Sequence, residues 1–474
     1  MWLTRTTVFL LAAWAAALPA ATREEDLREA ARLDAERNCA EAERLYRRAA
    51  AGAPDSPALW NNLGNHYLVC GQPEQAQTWF ERLLRVNPSH ANANLQLARL
   101  AIARKQETKA LEYLRQVPDS GPAVRLLRAE ALYGAGQRTA ALAEFNGLQN
   151  ESDAAVLAAL GLTTARLGLF DRAEAAFQAA LARRPGDLGL MFYLGRAAAR
   201  AQHYDRARQV LDVVLAHQPE NIEVLFELGR VYAALHDPSR AVYLLSQARQ
   251  RAPRSPEILL ALARAAEDAG YYGDAALAYD GYLTLRPTDD AARRDRALVY
   301  GYSGSRLAEG IAELTRYLQR YPRDPVAHYD LAQLIWKTEP EKALEQLHAA
   351  IRLKTDSPSA LFSRAWLLHR LGRTTEALPD LQAAARLAPG NPRVLALLGV
   401  VHLALDQPAE AERCLRQALS GAPEDPAILM HLGRALMELG REQEAQPFLA
   451  KFQQVRPRMA RVPRQEAGMI ELAT

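Results

Sequence analysis

Three cysteines in 474 residues, Cys39, Cys70 and Cys414, are too few for a disulfide-dense scaffold. Lysine is almost as scarce. Lys105, Lys109, Lys337, Lys342, Lys354 and Lys451 are the only lysines among 58 basic side chains, so arginine carries the positive charge. The formal net charge of +3 lies too close to balance to imply a nucleic-acid partner. After the first 21 residues no segment is apolar for the roughly 20 residues a membrane-spanning helix needs. The ten histidines never fall three or four residues apart, which leaves no zinc-protease helix and no obvious metal site. No phosphate loop or Gly-x-Gly-x-x-Gly fingerprint is present. Gly301-Tyr302-Ser303-Gly304-Ser305 lacks the last glycine of a nucleophile elbow. The single Glu345-x-x-His348 reads as a solvated helix face, because a di-iron bundle needs the motif twice.

What the chain does have is a period. Prolines stand at 54, 88, 185, 219, 253, 287, 322, 389, 423 and 457, and the commonest gap is 34 residues. The other gaps, 35, 67 and 97, are close to one, two and three periods. Proline ends or starts helices, so a 34-residue period predicts stacked helix pairs. Laid out with Pro54 at position 32, the chain gives thirteen repeats with two nearly constant small columns. Position 8 is always glycine or alanine, from Ala30 and Gly64 to Gly433. Position 20 is alanine in every repeat but one, where Gly310 stands. Small side chains are required where the two helices of a pair cross closely. Prolines this frequent also exclude one long coiled coil.

Trp60, Leu63, Gly64, Tyr67, Gly71, Ala76, Phe80 and Pro88 together carry a full signature, and the chain thereby resembles the tetratricopeptide repeat family over about nine-tenths of its length. The resemblance implies an all-α, right-handed solenoid of helix-turn-helix units across 22–459, starting near 23, 57, 91, 122, 154, 188, 222, 256, 290, 325, 358, 392 and 426. It also implies a scaffold that binds protein partners, without catalysis and with no cofactor. Only about fifteen residues follow the last repeat, which leaves no room for a catalytic domain. Residues 460–474 are expected to form a cap, with Met469, Ile470 and Leu472 covering the end.

The opening residues read differently. Arg5 precedes an unbroken apolar run over 8–18, then Pro19-Ala20-Ala21 precede charged residues. That order is a secretory signal over 1–21, either cleaved near Ala20 or retained as an anchor, and it places the chain in the periplasm or outside the cell. Cys39 and Cys70 fall near the intra-repeat turns of adjacent repeats, which leaves two readings open, a disulfide or two separate half-buried thiols. Asn150-Glu151-Ser152 is a glycosylation sequon.

On the first helix of each repeat, positions 2, 6, 9 and 13 point away from the core positions 4, 7, 8 and 11. In the family this stripe, with position 5 beside it, lines the concave groove that takes extended segments. Position 9 is arginine at Arg99, Arg196, Arg230, Arg264 and Arg434, and position 5 is aromatic at Phe192, Phe226, Tyr329 and Phe362. Tyr193, Trp336 and Trp366 add rings, and Asn61, Asn62 and Asn65 add amides that can hold a peptide backbone. Guanidinium groups beside rings suit an acidic or carboxylate-bearing extended segment. The competing reading makes the arginines struts paired with Glu223, Glu227, Glu257 and Asp268. The family's clamps for carboxy-terminal peptides use lysines that this chain lacks. Two other functions stay open, an accessory subunit of an envelope export or polysaccharide-secretion assembly and, less well supported, a carbohydrate-handling enzyme.

Overall fold

The computed structural model describes residues 20–52, 55–118, 121–304 and 306–459. Most of the expected signal and the whole of the expected cap lie outside the described residues. Among the described residues there are 26 helices and no strand. No helix among them is long and apolar enough to cross a membrane.

The helices fall into two compact units, one through Gln218 and one from Pro219. The first holds the pairs α1 (Ala20–Ala35) and α2 (Cys39–Gly52), α3 (Pro57–Val69) and α4 (Pro73–Val86), α5 (Ala91–Ala103) and α6 (Glu107–Arg115), α7 (Pro122–Gly134) and α8 (Arg138–Leu148), α9 (Ala154–Arg166) and α10 (Phe170–Arg183), α11 (Leu188–Arg200) and α12 (Tyr204–His217). The second holds α13 (Ile222–Ala234) and α14 (Pro238–Arg251), α15 (Pro256–Asp268) and α16 (Tyr272–Leu285), α17 (Asp290–Tyr302) and α18 (Leu307–Arg320), α19 (Pro325–Ile335) and α20 (Pro340–Leu353), α21 (Pro358–Arg370) and α22 (Thr374–Leu387), α23 (Pro392–Ala404) and α24 (Pro408–Gly421), α25 (Pro426–Glu438) and α26 (Glu442–Met459).

Short polar residues start most first helices. Ser255 accepts a hydrogen bond from the Ile258 N–H and Asp425 from those of Ala427 and Ile428, each directly ahead of a proline that needs no N–H partner. The same helices stop at a left-handed residue. At Gly71, φ is 70° and the Gln72 N–H returns to the Tyr67 carbonyl at 2.8 Å, closing a Schellman-type turn. Arg37, Lys105, Gln202, His236 and Asp406 occupy the equivalent slot without being glycine. The repeat of α19 and α20 is one residue shorter and drops that slot. Its first helix ends early, with Trp336 as the cap.

Inside each pair a large side chain of the second helix lies on a small residue of the first. A methyl added at Gly64 would stand 2.5 Å from Phe80 Cε1, and Phe80 is fully buried. Burying one such side chain contributes about 1.5–3 kcal/mol, and every described repeat adds its own. At Gly310 the crossing is tighter still, since a methyl there would stand 2.3 Å from the Ala297 carbonyl oxygen. The alanine column breaks at this position because even alanine does not fit.

Candidate partner-binding surface

In the first unit the predicted amides form a ladder. Asn92 on α5 donates to Asn61 Oδ1 at 2.7 Å and to Asn65 Oδ1 at 3.2 Å on α3, and Gln96 donates back to Asn92. Asn62 is half-buried beside them, and Arg99 is exposed with no ion pair among the described residues. On α11, Arg196 lies over Phe192 at 5.5 Å and over Tyr193 at 5.3 Å. Tyr193 in turn stacks on buried Phe177 at 5.6 Å. Cation–π contact of this kind is worth about 0.5–1 kcal/mol at an exposed site.

In the second unit Arg230 lies over Phe226 at 5.6 Å and donates to Glu227 at 3.3 Å within its own helix. Arg264 on α15 is exposed with no ion pair among the described residues, though its field acts on Glu267 and Asp268. Glu257 accepts from Ser255 and forms no ion pair with either arginine among the described residues.

Between α15 and α21 the first helices carry a polar network on positions 5, 6, 9, 12 and 13. Glu267 accepts from the Tyr279 hydroxyl at 2.9 Å. Arg294 spreads over three carboxylates, at 2.6 Å from Asp295, 3.5 Å from Asp324 and 3.9 Å from Asp330. Asp330 is 5% exposed. Burial, only partly offset by its one-third share of Arg294, pushes its carboxyl up to about 8. Burial likewise raises Glu267 to about 7, against the Tyr279 hydrogen bond. Both acids are therefore neutral in mildly acidic solution. Gln333 donates to buried Ser363 at 3.3 Å, and Tyr329 meets the same hydroxyl at 3.5 Å. Gln333 Oε1 and the Tyr302 hydroxyl are buried with no hydrogen-bond partner among the described residues.

At the end of this network Trp336 and Trp366 meet edge to face at 4.9 Å. Arg370 covers both rings, at 5.1 and 5.4 Å, and has no ion pair among the described residues. Lys337 approaches Trp336 at 5.4 Å. Phe362 is not part of this surface. It is 5% exposed and belongs to the apolar core with Leu331, Ala365 and Leu398. Sequence reasoning also missed Arg370, Tyr302, Asp330 and Gln333, which stand on positions 13, 13, 6 and 9. The stripe named those columns, but these four residues on it were not picked out.

Two open clefts lie on other faces. One of about 580 Å³ is lined by Glu341, Glu345, His348, Arg364, Arg373 and Asp380 among others. Three of its acids are taken up by arginines, with Arg364 gripping Asp380 through two bonds at 2.6 and 2.7 Å and Arg373 bridging Glu341 and Glu376. The other, of about 540 Å³, surrounds Glu174, which binds His203 at 2.7 Å and Arg206 at 3.1 Å. That carboxylate raises the His203 pKa.

Two descriptions of the tetratricopeptide repeat match the chain, one over residues 35–89, 165–228 and 368–419, the other over 65–124, 226–290, 337–392 and 397–454. The second alone spans half the sequence, and the chain belongs to the tetratricopeptide repeat family. Family and fold support a protein–protein interaction scaffold. The chain is similar to the crystal structure of yeast Tom70, with 15% identity, 92% of this chain and 99% of that one covered, and a TM-score of 0.44. It is similar to the APC/C hetero-tetramer Cut9–Hcn1 with 14% identity, 88% and 97% covered, and a TM-score of 0.45. No curated protein matches it.

Proposed function

We propose that this protein is a non-catalytic, extracytoplasmic scaffold that receives an extended acidic partner segment on the first-helix columns of its second unit. The observation that carries the reading is Arg370, which lies over Trp336 and Trp366 with no ion pair among the described residues. A guanidinium stacked on rings is pre-oriented, so a carboxylate can take it in two-point geometry at a small entropic cost. Arg230 and Arg264 extend the basic character, and Phe226 and Tyr329 offer apolar surface between charges. The extracytoplasmic placement is supported by the charged, apolar and small order of residues 1–21 and by a disulfide between Cys39 and Cys70.

The test is fluorescence anisotropy with a labelled glutamate-rich peptide on the full chain, comparing wild type with the triple variant Arg230→Glu, Arg264→Glu, Arg370→Glu. Affinity should fall at least about tenfold, equivalent to about 1.4 kcal/mol, while the melting curve barely moves. Affinity that stays within twofold of wild type, or a variant that melts early yet still binds, would sink the proposal.

A further inference from the structure

In the second unit, carboxyl groups outnumber the cations that meet them along one stretch of the first-helix stripe. Glu267 stands on α15, Asp295 on α17, Asp324 caps the start of α19, and Asp330 lies within α19. Arg294 is 2.6 Å from Asp295 but 3.5 and 3.9 Å from Asp324 and Asp330, so it neutralises one carboxylate closely and two only in part. Arg264 acts on Glu267 through its field alone. The negative field of Asp295 falls on both Glu267 and Asp330. The acids of three successive first helices therefore form one electrostatic group.

Buried acceptors cost free energy unless donors meet them, and the neighbouring side chains add to the excess. Gln333, one turn beyond Asp330 on α19, is 2% exposed. Its amide nitrogen goes to Ser363, while Oε1, which can only accept, has no hydrogen-bond partner among the described residues. The Tyr302 hydroxyl on α17 lies in the fields of Asp330 and Glu267 and is hydrogen-bonded to neither. Glu267, Asp295 and Tyr302 keep part of their surface open, so the group can be reached from the stripe that carries Arg264 and Arg370. Among the described residues no three of these carboxylate oxygens converge within 4.8 Å, as shared ligation of one metal ion would need. A lysine ammonium suits the spread better, because it brings three rotatable donors and a full charge on a flexible stem.

We propose that this cluster receives one lysine side chain of the partner, its ammonium seated among Glu267, Asp295 and Asp330, with Gln333 Oε1 and the Tyr302 hydroxyl as further acceptors. The inference rests on the acidic-segment reading and sharpens it. Because α17 and α19 lie between α15 and α21 in the chain of repeats, the segment that fits has alternating sign, with carboxylates for Arg264 and Arg370 and a lysine between them. Burial keeps Glu267 and Asp330 protonated in mildly acidic solution. An arriving ammonium favours their charged forms, so its uptake releases protons and strengthens as pH rises toward 8. Lysine itself, with a free pKa of about 10.4, stays charged throughout.

The experiment is fluorescence anisotropy on the full chain with two labelled glutamate-rich peptides that differ only at a central lysine, free in one and Nε-acetylated in the other. At about pH 8.5 the free-lysine peptide should bind about tenfold more tightly, the size of one hydrogen bond between charged groups, although its lysine lowers the attraction to the arginines. The advantage should shrink at about pH 6, where both acids hold their protons. In Asp330→Asn/Glu267→Gln it should vanish, while the acetylated peptide binds at least as well as to wild type. An advantage under about twofold in wild type at the higher pH, with both peptides still losing affinity in the triple arginine variant, would overturn the lysine site and leave the acidic-segment reading standing. An advantage that survives in the double variant would also overturn the site. Failure of both peptides to bind wild type would overturn both readings.

Discussion

Replacing Asp330 by asparagine should make the second unit more stable, and increasingly so as pH rises. The carboxyl titrates near 3.8 when free and at about 8 in place. A group with a raised native pKa holds its proton longer in the native state than in the unfolded one. Its stabilising contribution is complete below about pH 4 and is lost as pH rises to about 8, at about 1.4 kcal/mol per pH unit. Over the whole window that is at most about 6 kcal/mol. Glu267, raised to about 7, lies in the same network and raises Asp330 further, so about 2–5 kcal/mol is the expected span. Asparagine keeps the shape and never ionises. The measurement is amide hydrogen exchange of α19 in both proteins, expressed as protection factors from about pH 5 to 8. The ratio of variant to wild-type protection should climb by up to about tenfold per pH unit. Parallel profiles would show that Asp330 titrates as a free carboxylate and that burial does not dominate its environment.

Two packing predictions accompany it. Gly310→Ala should cost about 1–3 kcal/mol and exceed Gly64→Ala, because the intruding methyl meets a backbone carbonyl in the first case and a movable ring in the second; urea midpoints on the full chain decide the order. Arg364→Ala should cost about 3–5 kcal/mol by stranding Asp380, which is 6% exposed. Arg413→Ala, which breaks only an exposed pair with Glu410, should cost under about 1 kcal/mol in the same assay.

The repeat architecture was readable because packing repeats itself. Gly64 on Phe80 and the buried Ala76, Ala241 and Ala411 impose small residues at fixed spacing, and spacing is what a sequence displays. The surface was readable only in part. The contacts of Arg196 with Phe192 and of Arg230 with Phe226 follow from a four-residue offset on one helix, which brings side chains together. Phe362 misled because an aromatic at position 5 looks the same whether its neighbours leave it open or close over it, as Leu331 and Leu398 do here. Asp330 and Gln333 were passed over because polar side chains on an outward stripe read as solvated. Burial of that stripe depends on how consecutive repeats lean together, which no single repeat encodes. Cys39 and Cys70 left two readings open in the sequence, and only the packing of α2 against α3 joins them in a disulfide.

The neutral acids also bear on the partner's charge. With Glu267 and Asp330 protonated, the first-helix columns from α13 to α21 carry two fewer negative charges, and Arg264 and Arg294 are correspondingly less screened. An acidic segment approaching Arg230, Arg264 and Arg370 then meets a more positive field, which chiefly speeds its capture and selects its sign. As pH rises through about 7 for Glu267 and about 8 for Asp330, both ionise beneath the same surface and oppose it. Affinity for the glutamate-rich peptide should therefore fall across that window in wild type and fall less in Asp330→Asn. Equal pH dependence in the two proteins would mean that the network supports the fold without reaching the partner.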